Sequence, residues 1–299
     1  MNNSKSVSLF MVLCLFFISL SCQKIELIPP QGFAVNIAAD SIAFTAIGDY
    51  GVDNGNQGAV ANLIANLHPD FIITMGDNNY NNGAATTIVK NIGKYYCDYT
   101  YNHNAPAEQR CTGVATLEGQ NRFFPSLGNH DYAGSNKAVP YLNYFTLPGN
   151  EVYYDFTWGP VHFYALDSNK DINEQKTWLD EKLALSVHAF NVVYFHHSPY
   201  SSETHGNFNA MQWDFTGVDL VLTGNDHIYE RHTPLDNSRP IYLINGLGGR
   251  DKRVCGEHPL TSNQFSSFCY DDNYGTLFIT ANDSVMTVQF INVNNVVMV

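Results

Sequence analysis

Charge is scarce in this chain. Only 14% of its 299 residues are Asp, Glu, Lys or Arg, against about 25% in an average soluble domain. Neutral polar groups, Asn prominent among them, must therefore carry much of the solvation. Positive charge is scarcer still: 15 basic residues face 28 acidic ones, a net charge of −13. That balance argues against binding to nucleic-acid backbones or anionic membranes by bulk electrostatics. A small anionic substrate remains compatible if a local positive centre overcomes the global field. Internal repeats are absent, as are low-complexity linkers after residue 40. No apolar stretch beyond the first residues is long enough to span a bilayer.

What is present is a core. Hydrophobic residues make up 44% and aromatics 13%, which excludes a disordered chain and allows one large domain or two small ones. The N-terminus is read separately. Lys5 precedes a 14-residue apolar run, Val7 to Leu20, followed by Ser21-Cys22. The run is too short to span a bilayer comfortably and fits a signal-peptide core. The small residue before Cys22 matches a bacterial lipoprotein cleavage site that leaves Cys22 lipid-modified, with an ordinary signal peptide as the alternative. The expected organisation is a signal peptide at 1–21, a tether or edge segment at 22–39, and one domain at 40–299. The expected location is the periplasm or an outer-membrane or cell-surface lipoprotein, otherwise a secreted protein.

Four cysteines remain beyond Cys14 and Cys22. Cys97 and Cys111, and Cys255 and Cys269, form two pairs each separated by 14 positions. In an exported chain two local disulfides are the natural reading. The competing four-cysteine zinc site calls for close C-x2-C pairs, and there are none.

From Ser41 onward strand and helix patterns alternate. Short β-rich runs fall at Ser41–Ile47, Phe71–Met75, Phe123–Leu127, Tyr153–Phe156, Val161–Leu166, Asn191–Phe195, Val218–Leu222 and Ile241–Ile244. A closing hairpin spans Leu277–Ile279 and Val285–Ile291, and Trp158-Gly159-Pro160 reads as a turn. Val60, Leu63, Ile64 and Leu67 share one helical face, and Glu174–Leu185 reads as a second helix. Mixed signals of this kind specify a single α/β domain of about 260 residues.

Five strand ends stand out. Ile42–Ile47 runs into Gly48-Asp49, and Phe71–Met75 into Gly76-Asp77-Asn78-Asn79-Tyr80. Phe123–Leu127 runs into Gly128-Asn129-His130-Asp131, Val192–Phe195 into His196-His197-Ser198-Pro199, and Val218–Thr223 into Gly224-Asn225-Asp226-His227. In open α/β sheets ligands sit at the carboxyl ends of strands, and glycines allow the tight turns that aim side chains there. Carboxylate, amide oxygen and imidazole together suit first-row metals, and a phenolate favours Fe(III). Two such metals about 3.5–4 Å apart form the usual clamp for phosphoryl transfer.

The ordered set Gly-Asp, Gly-Asp-x-x-Tyr, Gly-Asn-His-Asp, His-x-Pro and Gly-x-x-His resembles the purple acid phosphatases, within the metallophosphoesterases. The match begins near residue 48, as in the small, tartrate-resistant type, and covers nearly all of the expected domain. The resemblance implies a four-layer α/β/β/α sandwich with mixed sheets and an exported phosphatase that acts on small phosphate monoesters. It implies two metal ions: Fe(III), held by Asp49, Tyr80 and His227, and a divalent Fe, Zn or Mn held by Asn129 and His197. Asp77 bridges the two. A metal-bound hydroxide attacks phosphorus in line, while His130 and His205 contact the phosphate and protonate the leaving alkoxide.

One position departs from the pattern. Where the family reads Gly-His-x-His, this chain has Gly224-Asn225-Asp226-His227, and an amide oxygen is a weaker ligand for the second metal than imidazole. Two rival readings follow: a phosphodiesterase or phospholipase-type hydrolase of the same fold, and a non-catalytic metal- or phosphate-binding lipoprotein. Of the adjacent histidines on one strand only one can face the site; the His-x-Pro spacing selects His197 and leaves His196 as a packed histidine. His68, His103, His162, His188, His232 and His258 read as structural, and Tyr229-Glu230-Arg231 as scaffold. Gly246, Gly248 and Gly249 read as a tight loop, since their spacing does not match a dinucleotide motif.

Overall fold

The computed structural model describes residues 24–27, 40–232, 240–258 and 266–298. The expected leader at 1–21 and Cys22 lie outside the described residues, as does most of the segment at 22–39. Two seven-stranded mixed sheets organise the rest. The first contains β1 (Lys24–Leu27), β2 (Ile42–Ile47), β3 (Phe71–Thr74), β4 (Phe123–Pro125), β12 (Gly275–Ala281), β13 (Val285–Asn292) and β14 (Val297–Met298). Its order is β1-β13-β12-β2-β3-β4, with β14 on β13. The second, in the order β11-β9-β10-β8-β7-β6-β5, contains β5 (Tyr154–Trp158), β6 (Val161–Ala165), β7 (Phe190–His197), β8 (Leu220–Gly224), β9 (Tyr229–His232), β10 (Ile241–Asn245) and β11 (Ser266–Tyr270).

Three apolar clusters account for four layers. Phe44 and Phe71 of the first sheet meet Phe163 of the second at ring distances of 5.0 and 5.3 Å, so the two sheets pack face to face. Helix α1 (Gly55–Leu67) covers the outer face of the first sheet, where Leu63 and Leu67 meet Ala43, Phe278 and Ile291. Helix α2 (Ile172–Leu185) covers the second sheet, where Leu179 meets Tyr164, Val193 and Phe195. The result is the α/β/β/α sandwich. Fully burying each such Phe or Leu contributes about 1.5–3 kcal/mol, which makes the clusters the main source of stability.

Local chemistry explains the boundaries. Asn54 caps α1 by accepting from Gln57 N at 2.9 Å, and His68 ends the helix in the left-handed region at φ 49°. Strands β2, β3 and β4 are mutually parallel, as are β6, β7, β8 and β10. Their carboxyl ends converge because the sheets are joined there: Gly48 N donates to Asn245 O at 2.9 Å, and Asn245 Nδ2 to Ala46 O at 3.0 Å. Strands β9 and β11 have no clear alternating pattern in the sequence. They form because β9 pairs on both edges, with β10 and β11, and because Cys269 of β11 is bonded to Cys255. Cys97 and Cys111 form the other disulfide; the local pairing holds and the zinc alternative does not. Among the described residues no helix is long and apolar enough to cross a membrane.

Candidate metal centre

Two buried carboxylates form the middle of the site. Asp49 and Asp77 follow β2 and β3, and both have left-handed backbones, with φ of 57° and 53°. Asn225, after β8, has φ 66°. Strain of this kind at non-glycine residues persists where a site over-determines the backbone. Gly76 allows the turn: its φ is 82°, and a Cβ there would lie 2.6 Å from His196 Nδ1. Gly128 lets Asn129 approach, since a Cβ there would lie 2.1 Å from Asp77 N.

The carboxylates are surrounded by donors. Asp49 Oδ1 accepts from Tyr80 Oη at 3.0 Å and lies 3.4 Å from His227 Nε2, while Asp49 Oδ2 accepts from Asn225 N at 2.9 Å. Asp77 Oδ1 accepts from His130 N at 2.8 Å and lies 3.3 Å from His196 Nε2. His196 Nε2 is also 2.9 Å from Asn129 Oδ1, and its Nδ1 is 2.8 Å from Met75 O. Asp49, Asp77 and His196 each offer a ligand atom, all within 4.8 Å of one another. Among the described residues neither carboxylate has a Lys or Arg ion pair.

Electrostatics fit a cation. Burial opposes charge on Asp49, yet hydrogen bonding to His227 and the charge of His196 hold its carboxyl below the usual range. The same carboxylates raise His196 and His227 above the ordinary imidazole range against the opposing effect of burial. Burial first, then Asp49 and Asp77, pushes the Tyr80 phenol well up, so without metal it is a hydrogen-bond donor. A bound multivalent cation reverses that preference. Two anions, two imidazoles (His196 and His227), two amides and a phenol are the donor set of a first-row metal pair.

His196, read as a packed histidine, lies in this cluster, while the expected ligand His197 lines an adjacent cavity with Asn129, His205 and Asn225. Along β7, Val192 and Tyr194 face the other sheet, while Val193 and Phe195 face α2. His196 continues the inward face. His197, past a register shift in β7, has Nδ1 2.8 Å from Ser168 Oγ and stacks on Phe208 at 4.6 Å. Burial, then the neighbouring His196, lowers its pKa to about 3, so it stays neutral.

The remaining expected residues meet around one cavity of about 380 Å³, lined in part by Asp77, Asn129, His130, His205, Asn225 and His227. Asn225 stands in this wall with Nδ2 3.4 Å from Asp226 Oδ2. His130 has Nδ1 2.5 Å from Asn81 O. His205 is held from below: its Nδ1 is 2.8 Å from Glu203 Oε2 and 3.7 Å from Asp226 Oδ1. Glu203 and Asp226 are fully buried and were not singled out in the sequence. The carboxyl groups of Asp226 and Glu203 beside it raise His205 to about 10. Burial raises Asp226 to about 7, and Glu203 is held low, its hydrogen bonds to His205, Asp226 and Thr204 overcoming burial. Asp131 accepts from Gly128 N at 2.9 Å and Asn78 Nδ2 at 2.8 Å, which ties the Asn129 and Asp77 loops together. Of the histidines read as structural, His162 pairs with Asp155 at 2.9 Å and His232 with Glu230 at 3.4 Å.

The chain is similar to known proteins in sequence and in fold. Residues 42–229 match the family described as calcineurin-like phosphoesterase. The chain is 27% identical over 252 residues to purple acid phosphatase 23 of Arabidopsis thaliana, a match that covers 71% of this chain and 53% of that one. It is 26% identical over 313 residues to purple acid phosphatase 17 of the same plant, covering 90% and 86%. The chain spans about half the length of the first of these relatives. Purple acid phosphatase PPD1 of yellow lupin seeds superposes with a TM-score of 0.66 at 16% identity, covering 86% of this chain and 52% of that one. GAP50, the anchor in the inner membrane complex of Plasmodium, superposes at 0.60 and 19%, covering 85% of each. At these identities the structural likeness is one of fold.

Proposed function

The chain belongs to the calcineurin-like phosphoesterase family, and we propose that it is a binuclear-metal phosphatase that hydrolyses phosphate monoesters. The observation that carries this reading is the pair of buried carboxylates, Asp49 and Asp77, which have only imidazole counter-charges among the described residues. Two buried anions beside each other are costly unless cations accompany them.

Asp49, Tyr80 and His227 would hold a trivalent, iron-type ion, and Asn129, His196 and Asn225 a divalent one, with Asp77 shared. When bound, such a pair supplies a nucleophile at neutral pH and neutralises charge developing on the phosphoryl oxygens. The chain's own groups do the rest. His130, fixed through its backbone to Asp77, contacts the phosphoryl group from the cavity wall. His205, kept cationic by Glu203 and Asp226, donates its Nε2 proton to the leaving alkoxide oxygen. Because Glu203 takes the Nδ1 side, the other ring nitrogen is the one free to face the substrate.

Export is part of the proposal. Two disulfides are at home in an oxidising compartment, and lipidation at Cys22 is its N-terminal counterpart. Mass analysis of the mature N-terminus tests it: a diacylated Cys22 supports the anchor, and an intact leader contradicts export. The catalytic reading is tested by hydrolysis of p-nitrophenyl phosphate beside bis-p-nitrophenyl phosphate, with Fe and Zn added. The proposal expects metal-dependent monoester hydrolysis with the diester poor. A preference for the diester would support the rival phosphodiesterase reading. Stoichiometric metal without turnover of either would support a binding protein, the alternative favoured by Asn225.

A further inference from the structure

Arg250 stands between two cavities. It lines the metal-centre cavity and also a neighbouring one of about 460 Å³. The loop after β10 fixes it there: Gly248 N donates to Gly48 O at 3.1 Å, and Arg250 N to Asp49 O at 2.9 Å. Its guanidinium lies 5.0 Å from the Tyr80 ring, and among the described residues no carboxylate forms an ion pair with it. The same cavity is lined by Lys90, Asn81, Asn82 and Asn91, and no Asp or Glu contributes to it. The nearest carboxylate to Lys90 is Asp53 at 3.9 Å, and that group is already paired with Lys94 at 2.7 Å.

A second observation points to a ligand. Asn91 is 2% exposed and donates its amide to Asn79 Oδ1 and Tyr80 O. Its Oδ1 is buried without a partner, a costly state unless something donates to it. In a chain of net charge −13, two cations and an unfilled carbonyl around one carboxylate-free hollow form a receptor for an anion bearing hydroxyl groups.

We propose that this second cavity binds the distal phosphate of a polyhydroxylated substrate, a sugar or polyol that carries two phosphate groups. Arg250 lies between the two phosphates, Lys90 takes the distal one, and Asn91 Oδ1 accepts from a hydroxyl between them. This rests on the reading of the metal centre as a phosphomonoesterase.

The test compares kcat/KM of the metal-loaded protein for fructose 1,6-bisphosphate and fructose 6-phosphate, with calorimetric binding of the bisphosphate alongside. The expected preference for the bisphosphate is about tenfold or more, the contribution of one charge-assisted hydrogen bond. Lys90→Ala and Arg250→Gln each lower that ratio several-fold, Lys90→Arg retains it, and Lys176→Ala, on the far side of α2, leaves both rates unchanged. Hydrolysis of both sugars with a ratio near one, insensitive to Lys90→Ala, overturns the subsite and leaves the metal-centre reading standing. Bisphosphate binding that depends on Lys90, with neither sugar nor p-nitrophenyl phosphate hydrolysed, supports the subsite and overturns the metal-centre reading. No hydrolysis and no Lys90-dependent binding overturns both.

Discussion

His196 Nε2 lies 2.9 Å from Asn129 Oδ1, so the last turn of β7 in one sheet meets the loop after β4 in the other at a single polar contact. His196→Ala removes an imidazole from this contact and from Asp77. Metal affinity is expected to fall by at least the roughly 10–100-fold that loss of an outer-shell partner costs. His197→Ala is expected to leave metal content unchanged and to cost stability, about 1–2 kcal/mol for its hydrogen bond to Ser168 and its stacking on Phe208. Metal analysis and thermal melts of the two variants check this; the reverse ranking restores His197 as the ligand.

The Tyr80 hydroxyl, 3.0 Å from Asp49 Oδ1, gives a spectroscopic handle. A phenolate on Fe(III) produces a charge-transfer band, so the iron-loaded protein is expected to be pink to purple. Tyr80→Phe is expected to bleach it while the far-UV spectrum stays unchanged. A coloured Tyr80→Phe protein would assign the band to another group.

Glu203 and His205 predict a pH dependence of stability in the metal-free protein. The His205 pKa rises from 6.5 to about 10 on folding. Its contribution is therefore complete below about 6.5, declines as pH rises, and is lost above about 10. Asp226, raised from 3.8 to about 7, weakens stability over a lower window, while His196 and His227 are raised as well, so the difference between wild type and Glu203→Gln is what isolates His205. Tm is expected to fall between about pH 7 and about pH 10, and to fall less steeply in Glu203→Gln. Equal slopes in the two proteins would mean that Glu203 does not hold the proton on His205.

Asn225 stands where the resemblance to the purple acid phosphatases leads one to expect histidine. As purified, the protein is expected to hold fewer than two metals and to gain activity on addition of a divalent metal. Asn225→His is expected to bring the metal content close to two and to reduce that dependence. Two tightly held metals in the wild type, with lower activity in Asn225→His, would make Asn225 an adapted ligand or a substrate contact.

Much of this arrangement was legible in the sequence, for reasons that differ between residues. Strands β2, β3, β4 and β8 are uniform apolar runs ending in Gly plus a polar residue, so both their ends and their cargo could be read. Asp49, Asp77, Asn129 and His227 follow directly. His196 was read as a packed histidine because two adjacent histidines at a strand end are distinguished only by which face is inward, a matter of sheet packing. Glu203 and Asp226 were missed because a carboxylate that supports a histidine across a loop has no fixed spacing. Strands β9 and β11 depend on pairing and on the Cys255–Cys269 bond, and isolated short segments carry no such information.

The most direct measurement is metal-dependent turnover of p-nitrophenyl phosphate by wild type and Asp77→Asn, with metal content determined on the same samples. Asp77 is the carboxylate shared by both halves of the proposed centre. The account predicts that the wild type turns over only with metal, and that Asp77→Asn, still folded, loses metal and at least about 100-fold in kcat/KM, about 2.7 kcal/mol of transition-state stabilisation. Turnover that survives complete metal removal, or an Asp77→Asn protein with full metal content and wild-type rate, would contradict it.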